Sequence, residues 1–118
     1  MKQELNYQHK SLAEGRWQTL SFFEQMANIG SEAERTINWF DKNKEYSRLA
    51  ADRMIELLDL TISDPKNQKR LKELFRLREV LADYFYFDNV YKSDNQKWHN
   101  YFNAFNYAAV INASQSSQ

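Results

Sequence analysis

Two glycines and a single proline among 118 residues leave this chain few places to turn sharply. Tight turns draw on glycine for left-handed backbone and on proline for a preset φ, so the many turns of a β-sandwich or barrel are disfavoured. Long helices are the natural consequence. A 42% apolar content at this length allows one core without covalent staples and leaves no room for a second domain. The absence of cysteine removes disulfides, thiolate zinc sites and thiol catalysis together. Sixteen basic side chains balance sixteen acidic ones, so no global field draws in nucleic acid or anionic lipid, and any polyanion binding must be local. The opening residues lack the apolar core of a secretion signal, and no stretch approaches 18 apolar residues, so a cytoplasmic protein with no membrane association is expected.

Polar, unpatterned ends predict a flexible tail over 1–10, one domain over 11–113 and a second flexible tail over 114–118. Four helices are predicted between them. The first starts at Ser11, with Glu14 completing a capping box, and reaches Phe40 with Leu20, Phe23, Met26, Ala27, Gly30, Ala33 and Ile37 on one face. Ser31 and Glu34 form a competing box that would break it at Gly30. The apolar phase nevertheless passes through Gly30 unshifted, and a missing side chain there lets a neighbouring helix approach closely. The second runs from Asn43 to Ile62 over Tyr46, Leu49, Ala50, Met54, Leu57, Leu58 and Thr61. Ser63-Asp64-Pro65 stops it and opens the third, which is expected to reach Tyr91. Ser93 and Gln96 cap the fourth, whose apolar face is Trp98, Tyr101, Phe102, Phe105, Ala108 and Ala109. Short connections make the simplest all-α fold an up-down-up-down antiparallel four-helix bundle.

Arg78 interrupts the pattern of the third helix. Leu71, Leu74, Phe75, Arg78, Leu81, Ala82 and Phe85 recur at steps of three and four, which places an arginine on a face that should be core. A guanidinium there needs partners, because an unpaired buried charge costs several kcal/mol. Arg53 and Glu56 on the second helix, with Arg78, Glu79 and Asp83 on the third, form a candidate polar cluster. It is either a structural ion-pair network that sets register or a small pocket for a nucleotide, an RNA phosphate or a partner's side chain.

Tyr84, Phe85, Tyr86 and Phe87 are consecutive, and at about 100° per residue one core cannot bury all four. The surplus points to self-association, with a homodimer as the simplest assembly and Tyr84, Tyr86, Phe87 and Tyr91 as interface candidates; the competing account is an aromatic-rich monomer core. Trp17, Trp39 and Trp98 point to the same surfaces. Lys66, Lys69, Arg70, Lys72, Arg76 and Arg78 could meet phosphates, but Glu73 and Glu79 interrupt them and a solvated face explains them better. Neither His9 nor His99 belongs to a Glu-x-x-His pair, and no Gly-rich phosphate loop or Ser-His-Asp set is present, so no metal, cofactor or catalytic residue is assigned.

The stretch Arg78-Glu-Val-Leu-Ala-Asp-Tyr-Phe85 resembles the RNA-cleaving motif of HEPN domains, small helical bundles of prokaryotic toxin-antitoxin and defence systems. Arg78 matches the family's Arg, Glu79 its polar residue and Phe85 its aromatic, while Asp83 stands where the family has His. The resemblance implies a dimeric bundle, a ribonuclease or nucleotide-binding role and a nucleotidyltransferase-like partner. The segments Gln25–Glu32, Glu56–Thr61, Asp64–Lys66 and Tyr101–Asn106 are also similar to a family of small uncharacterised prokaryotic all-helical proteins, which brings no activity. Two functions follow: a non-catalytic helical interaction protein that self-associates and binds a protein partner, or a HEPN-like RNA- or nucleotide-binding protein using Arg78, Glu79 and Asp83.

Overall fold

The computed structural model describes residues 15–116, with side chains to residue 111. Among the described residues the only regular structure is helical. A 3-10 turn (Arg16–Thr19) leads into α1 (Phe22–Trp39) and α2 (Lys44–Ser63), and a second 3-10 segment (Pro65–Arg70) leads into α3 (Leu71–Tyr86) and then α4 (Asn95–Ser116). The expected tail over 1–10 and residues 117–118 of the expected tail over 114–118 lie outside the described residues, whereas 114–116 belong to α4.

Helix α1 begins later than expected. Ser21 Oγ accepts the Glu24 amide at 3.1 Å while the Glu24 carboxylate accepts the Ser21 amide at 2.9 Å, a reciprocal box that satisfies two helix-end donors. Upstream, Gly15 is left-handed at φ 114° and Leu20 is extended, so no helix continues through them. The expected Ser11–Glu14 box lies outside the described residues. Gly30 does not break α1, which runs unbroken to Trp39.

Asn43 caps α2 by accepting the Glu45 and Tyr46 amides, one residue from the predicted start. The expected third helix is divided and shortened. Asp64 caps a 3-10 segment across Pro65–Arg70, and the α-helix proper stops at Tyr86, five residues before Tyr91. Asp83 is the cause: its carbonyl accepts the Phe87 and Asn89 amides at 3.1 and 3.2 Å, and Asn89 turns left-handed at φ 56°. Asn tolerates that backbone better than most residues. Asp94, not Ser93, caps α4, with Oδ1 accepting the Lys97 amide at 2.7 Å.

Helix α1 is central and packs mainly on α2 and α4, and α2 packs on α3. The core joins Met26, Ile29 and Ala33 of α1 to Met54, Leu57 and Leu58 of α2, Leu74, Leu77 and Leu81 of α3, and Trp98 and Phe102 of α4. Where α1 crosses α4, a Cβ on Gly30 would stand 2.8 Å from Phe102 Cβ, so the missing side chain sets the approach.

The buried face of α3 is rotated from the expected one. Leu74, Leu77, Val80 and Leu81 are buried, whereas Phe75 is exposed and Arg78 sits at the border. Leu77 and Val80 supply two apolar side chains where Phe75 and Arg78 supply one, so hydrophobic burial turns the helix toward them. Trp17 and Trp98 are buried as well and mark no surface; only Trp39 is partly exposed.

A buried polar hub, unforeseen in the apolar pattern, ties the first 3-10 turn to the α2–α3 junction. Trp17 Nε1 donates to Thr61 Oγ1 at 2.9 Å. Gln25 Nε2 donates to the Trp17 carbonyl at 3.1 Å and to Asp64 Oδ2 at 2.8 Å. Asn67 Nδ2 donates to Gln25 Oε1 at 3.0 Å and to the Thr61 carbonyl at 2.9 Å. Burial alone would raise the Asp64 pKa, but hydrogen bonds from Lys66 and Gln25, together with the Lys66 charge, outweigh it and hold the carboxyl below its ordinary value.

Candidate functional site

The outer side of α3 and the loop after it enclose an open depression of about 640 Å³. Phe75, Ala82, Phe87, Val90 and Tyr91 supply its apolar surface, and Arg78, Glu79 and Asp83 its ionisable groups. The helix places Phe75, Arg78, Glu79 and Ala82 on one face through steps of three and four residues. The loop, folded back by Asp83, brings Phe87, Val90 and Tyr91 over that face.

Each ionisable group there already has a partner within the chain. Arg78 Nε and Nη2 donate to the two oxygens of Asp59 on α2 at 2.6 and 3.2 Å. That hydrogen-bonded carboxylate raises the guanidinium pKa, with burial opposing it. The expectation of an enclosed Arg78 is corrected, because its side chain remains 40% exposed. A pair this open contributes about 0–1 kcal/mol. Glu79 accepts the Tyr91 hydroxyl at 2.7 Å, which raises the phenol pKa. The buried Asp83 carboxylate accepts the Val90 amide at 2.9 Å and the Tyr91 amide at 3.0 Å, one on each oxygen.

The five-residue polar cluster is thus divided. Arg78, Glu79 and Asp83 share the depression, whereas Arg53 and Glu56 do not line it. Arg53 Nε instead faces the buried Glu32 of α1 at 3.5 Å, and Glu32 also holds Arg35 at 2.9 Å. Partners for Arg78 and Arg53 come from Asp59 and Glu32, which the apolar stripes did not single out.

The four aromatic candidates divide too. Tyr84 donates to Asn95 Oδ1 at 2.5 Å and packs edge-on against Phe85. Tyr86 donates to Asp52 at 2.6 Å beneath the Arg48 guanidinium, and burial followed by that hydrogen bond raises its pKa. Both are partly buried. Phe87 and Tyr91 are exposed at the depression, and Val90, unpredicted, joins them at 71% exposure.

Four of the six side chains of the basic run have partners within the chain. Lys66 donates to Asp64 and to the Gln18 carbonyl, Arg70 lies over the Phe22 ring, Arg76 over the Tyr91 ring, and Arg78 is held by Asp59. Among the described residues no group of three or more His, Asp or Glu side chains is arranged to hold a metal, and no helix is long and apolar enough to cross a membrane. No protein-family model matches the chain, and no curated protein or solved structure is significantly similar to it.

Proposed function

We propose that this chain is a non-catalytic interaction protein, an up-down-up-down four-helix bundle that binds protein, itself included, through the outer face of α3 and the following loop. One observation carries the reading. Phe75, Phe87 and Val90 stay exposed around a depression whose charged side chains are all engaged within the chain. A contiguous exposed apolar surface of this kind marks an interaction site more often than it marks chemistry.

The RNA- or nucleotide-binding alternative draws on the same Arg78, Glu79 and Asp83. General-base work by Asp83 would have to proceed from a buried carboxylate that already accepts two loop amides, and Arg78 would meet a phosphate beside the Asp59 carboxylate, whose negative charge opposes it. Burial of the one group and the carboxylate beside the other weaken this alternative, which favours the binding reading.

Sedimentation equilibrium of the wild type and of Phe87→Asp tests it. The wild type should rise above monomer mass with concentration, and the variant should stay monomeric with an unchanged circular dichroism spectrum. A wild type that remains monomeric at hundreds of micromolar would overturn self-association.

A further inference from the structure

Resting on the self-association just proposed, we infer that the occupant of the α3 depression is the C-terminal half of α4 from a second copy of this chain. Tyr107, Val110 and Ile111 recur at steps of three and four, so they share one face of α4, and all three are exposed, Val110 at 67%. They form the apolar projection that the depression lacks. Each copy therefore carries both halves of a contact.

Charge selects this occupant. All sixteen basic and all sixteen acidic side chains of the chain precede Phe102, so the stretch from Phe102 to Gln118 brings no charged side chain into the contact. The depression does not require one, because Arg78, Glu79 and Asp83 each already hold a partner within the chain, Asp59, Tyr91 and the loop amides. A segment bearing a carboxylate or ammonium would have to desolvate that charge beside groups that already hold partners within the chain, whereas Val110, Ile111 and the Tyr107 ring lose mainly apolar hydration. The net charge of zero leaves no long-range repulsion between copies.

The same molecule's α4 does not fill the loop side of its own depression. The Tyr84 hydroxyl holds Asn95 at the start of α4, and Val110 is fifteen residues further on, roughly 22 Å at 1.5 Å per residue. The contact is between unlike surfaces, projection into depression. One such contact is small, of the class below roughly 1,200 Å² in total, so association should depend steeply on protein concentration.

Complementation of two variants tests this. Val90→Asp charges the depression and Val110→Asp charges the projection; both positions are solvent-exposed, and circular dichroism melts establish that each variant folds. Sedimentation equilibrium should show each variant alone associating at least about tenfold more weakly than wild type. Their equimolar mixture should regain a 1:1 complex, because one intact projection still meets one intact depression. If Val110→Asp associates like wild type while Val90→Asp does not, this inference fails and self-association through α3 alone stands. If the mixture stays monomeric although the wild type associates, the pairing is likewise overturned. A monomeric wild type removes both readings.

Discussion

Phe102 of α4 lies so close to Gly30 of α1 that a Cβ on residue 30 would stand 2.8 Å from Phe102 Cβ and 2.9 Å from its Cγ. Two effects oppose each other in Gly30→Ala. Alanine improves helix propensity by about 1 kcal/mol, whereas forcing two packed helices apart costs about 1–3 kcal/mol. The obstructing atoms belong to the base of a fully buried ring and cannot swing aside, so the second effect should win. Urea unfolding should show Gly30→Ala less stable than wild type by roughly 1 kcal/mol; a stabilised variant would mean that the helices do not approach this closely.

Asp83 sets the end of α3, and its removal should be felt in the loop. Asp83→Ala leaves the Val90 and Tyr91 amides without their acceptor, and hydrogen bonds to a charged group contribute about 1.5–3 kcal/mol each. Solvation of the freed loop recovers part of that. A net loss of about 2 kcal/mol is expected, together with faster hydrogen exchange at Val90 and Tyr91 than in wild type. Unchanged exchange at these two amides would disprove the role.

Arg78→Ala separates an exposed ion pair from a buried one. Breaking an enclosed pair would cost about 3–5 kcal/mol, whereas a pair as open as Arg78–Asp59 should cost no more than about 1 kcal/mol. Chemical denaturation of the single variants and of the Arg78→Ala/Asp59→Ala double variant gives the coupling directly. A coupling of several kcal/mol would restore the enclosed site.

Stability should fall at both pH extremes, for opposite reasons. The folded Asp64 pKa lies below its ordinary 3.8, so its contribution is complete above that value and is lost as pH falls through the depressed one. Asp64→Asn should flatten the acid limb below about pH 4. Burial first, and then the negative charge of Glu73, push the Tyr101 hydroxyl up to about 12. Its contribution is complete below pH 10 and is lost as pH rises through about 12, because the unfolded chain ionises first. Tyr101→Phe should flatten that alkaline limb. Acid and base titrations of the melting temperature check both, and an unaltered limb in either variant refutes the corresponding assignment.

Several elements could be read directly from residue order. Asp64 before Pro65 acts as a cap where expected, and Asn43, the expected first residue of the second helix, is its cap. Gly30 lies in phase with its apolar neighbours, which was enough to anticipate a close crossing. The true start of α1 was legible as well: Ser21 and Glu24 have the same spacing as Ser11 and Glu14 and directly precede the buried Met26 and Ile29. The stop at Tyr86 had a fainter signal in Asp88-Asn89, two turn formers that an apolar run of aromatics overshadowed.

The site was harder to read, because its parts depend on how helices rotate against one another. Leu71, Leu74, Phe75 and Arg78 satisfy helical spacing as well as Leu74, Leu77 and Leu81 do, and only packing on α2 selects between the two faces. That rotation sends Arg78 outward to Asp59 and leaves Phe75 exposed beside Val90 and Phe87. By itself the order of residues determined the all-helical class, the Asp64 cap and the residues available to a core, since each follows from backbone preference and periodicity within a few turns. Which side of α3 faced inward, which acids met Arg78 and Arg53, and how Trp17, Gln25, Thr61, Asp64 and Asn67 joined were decided only by tertiary structure, because partners up to 44 positions apart meet only after the helices have packed.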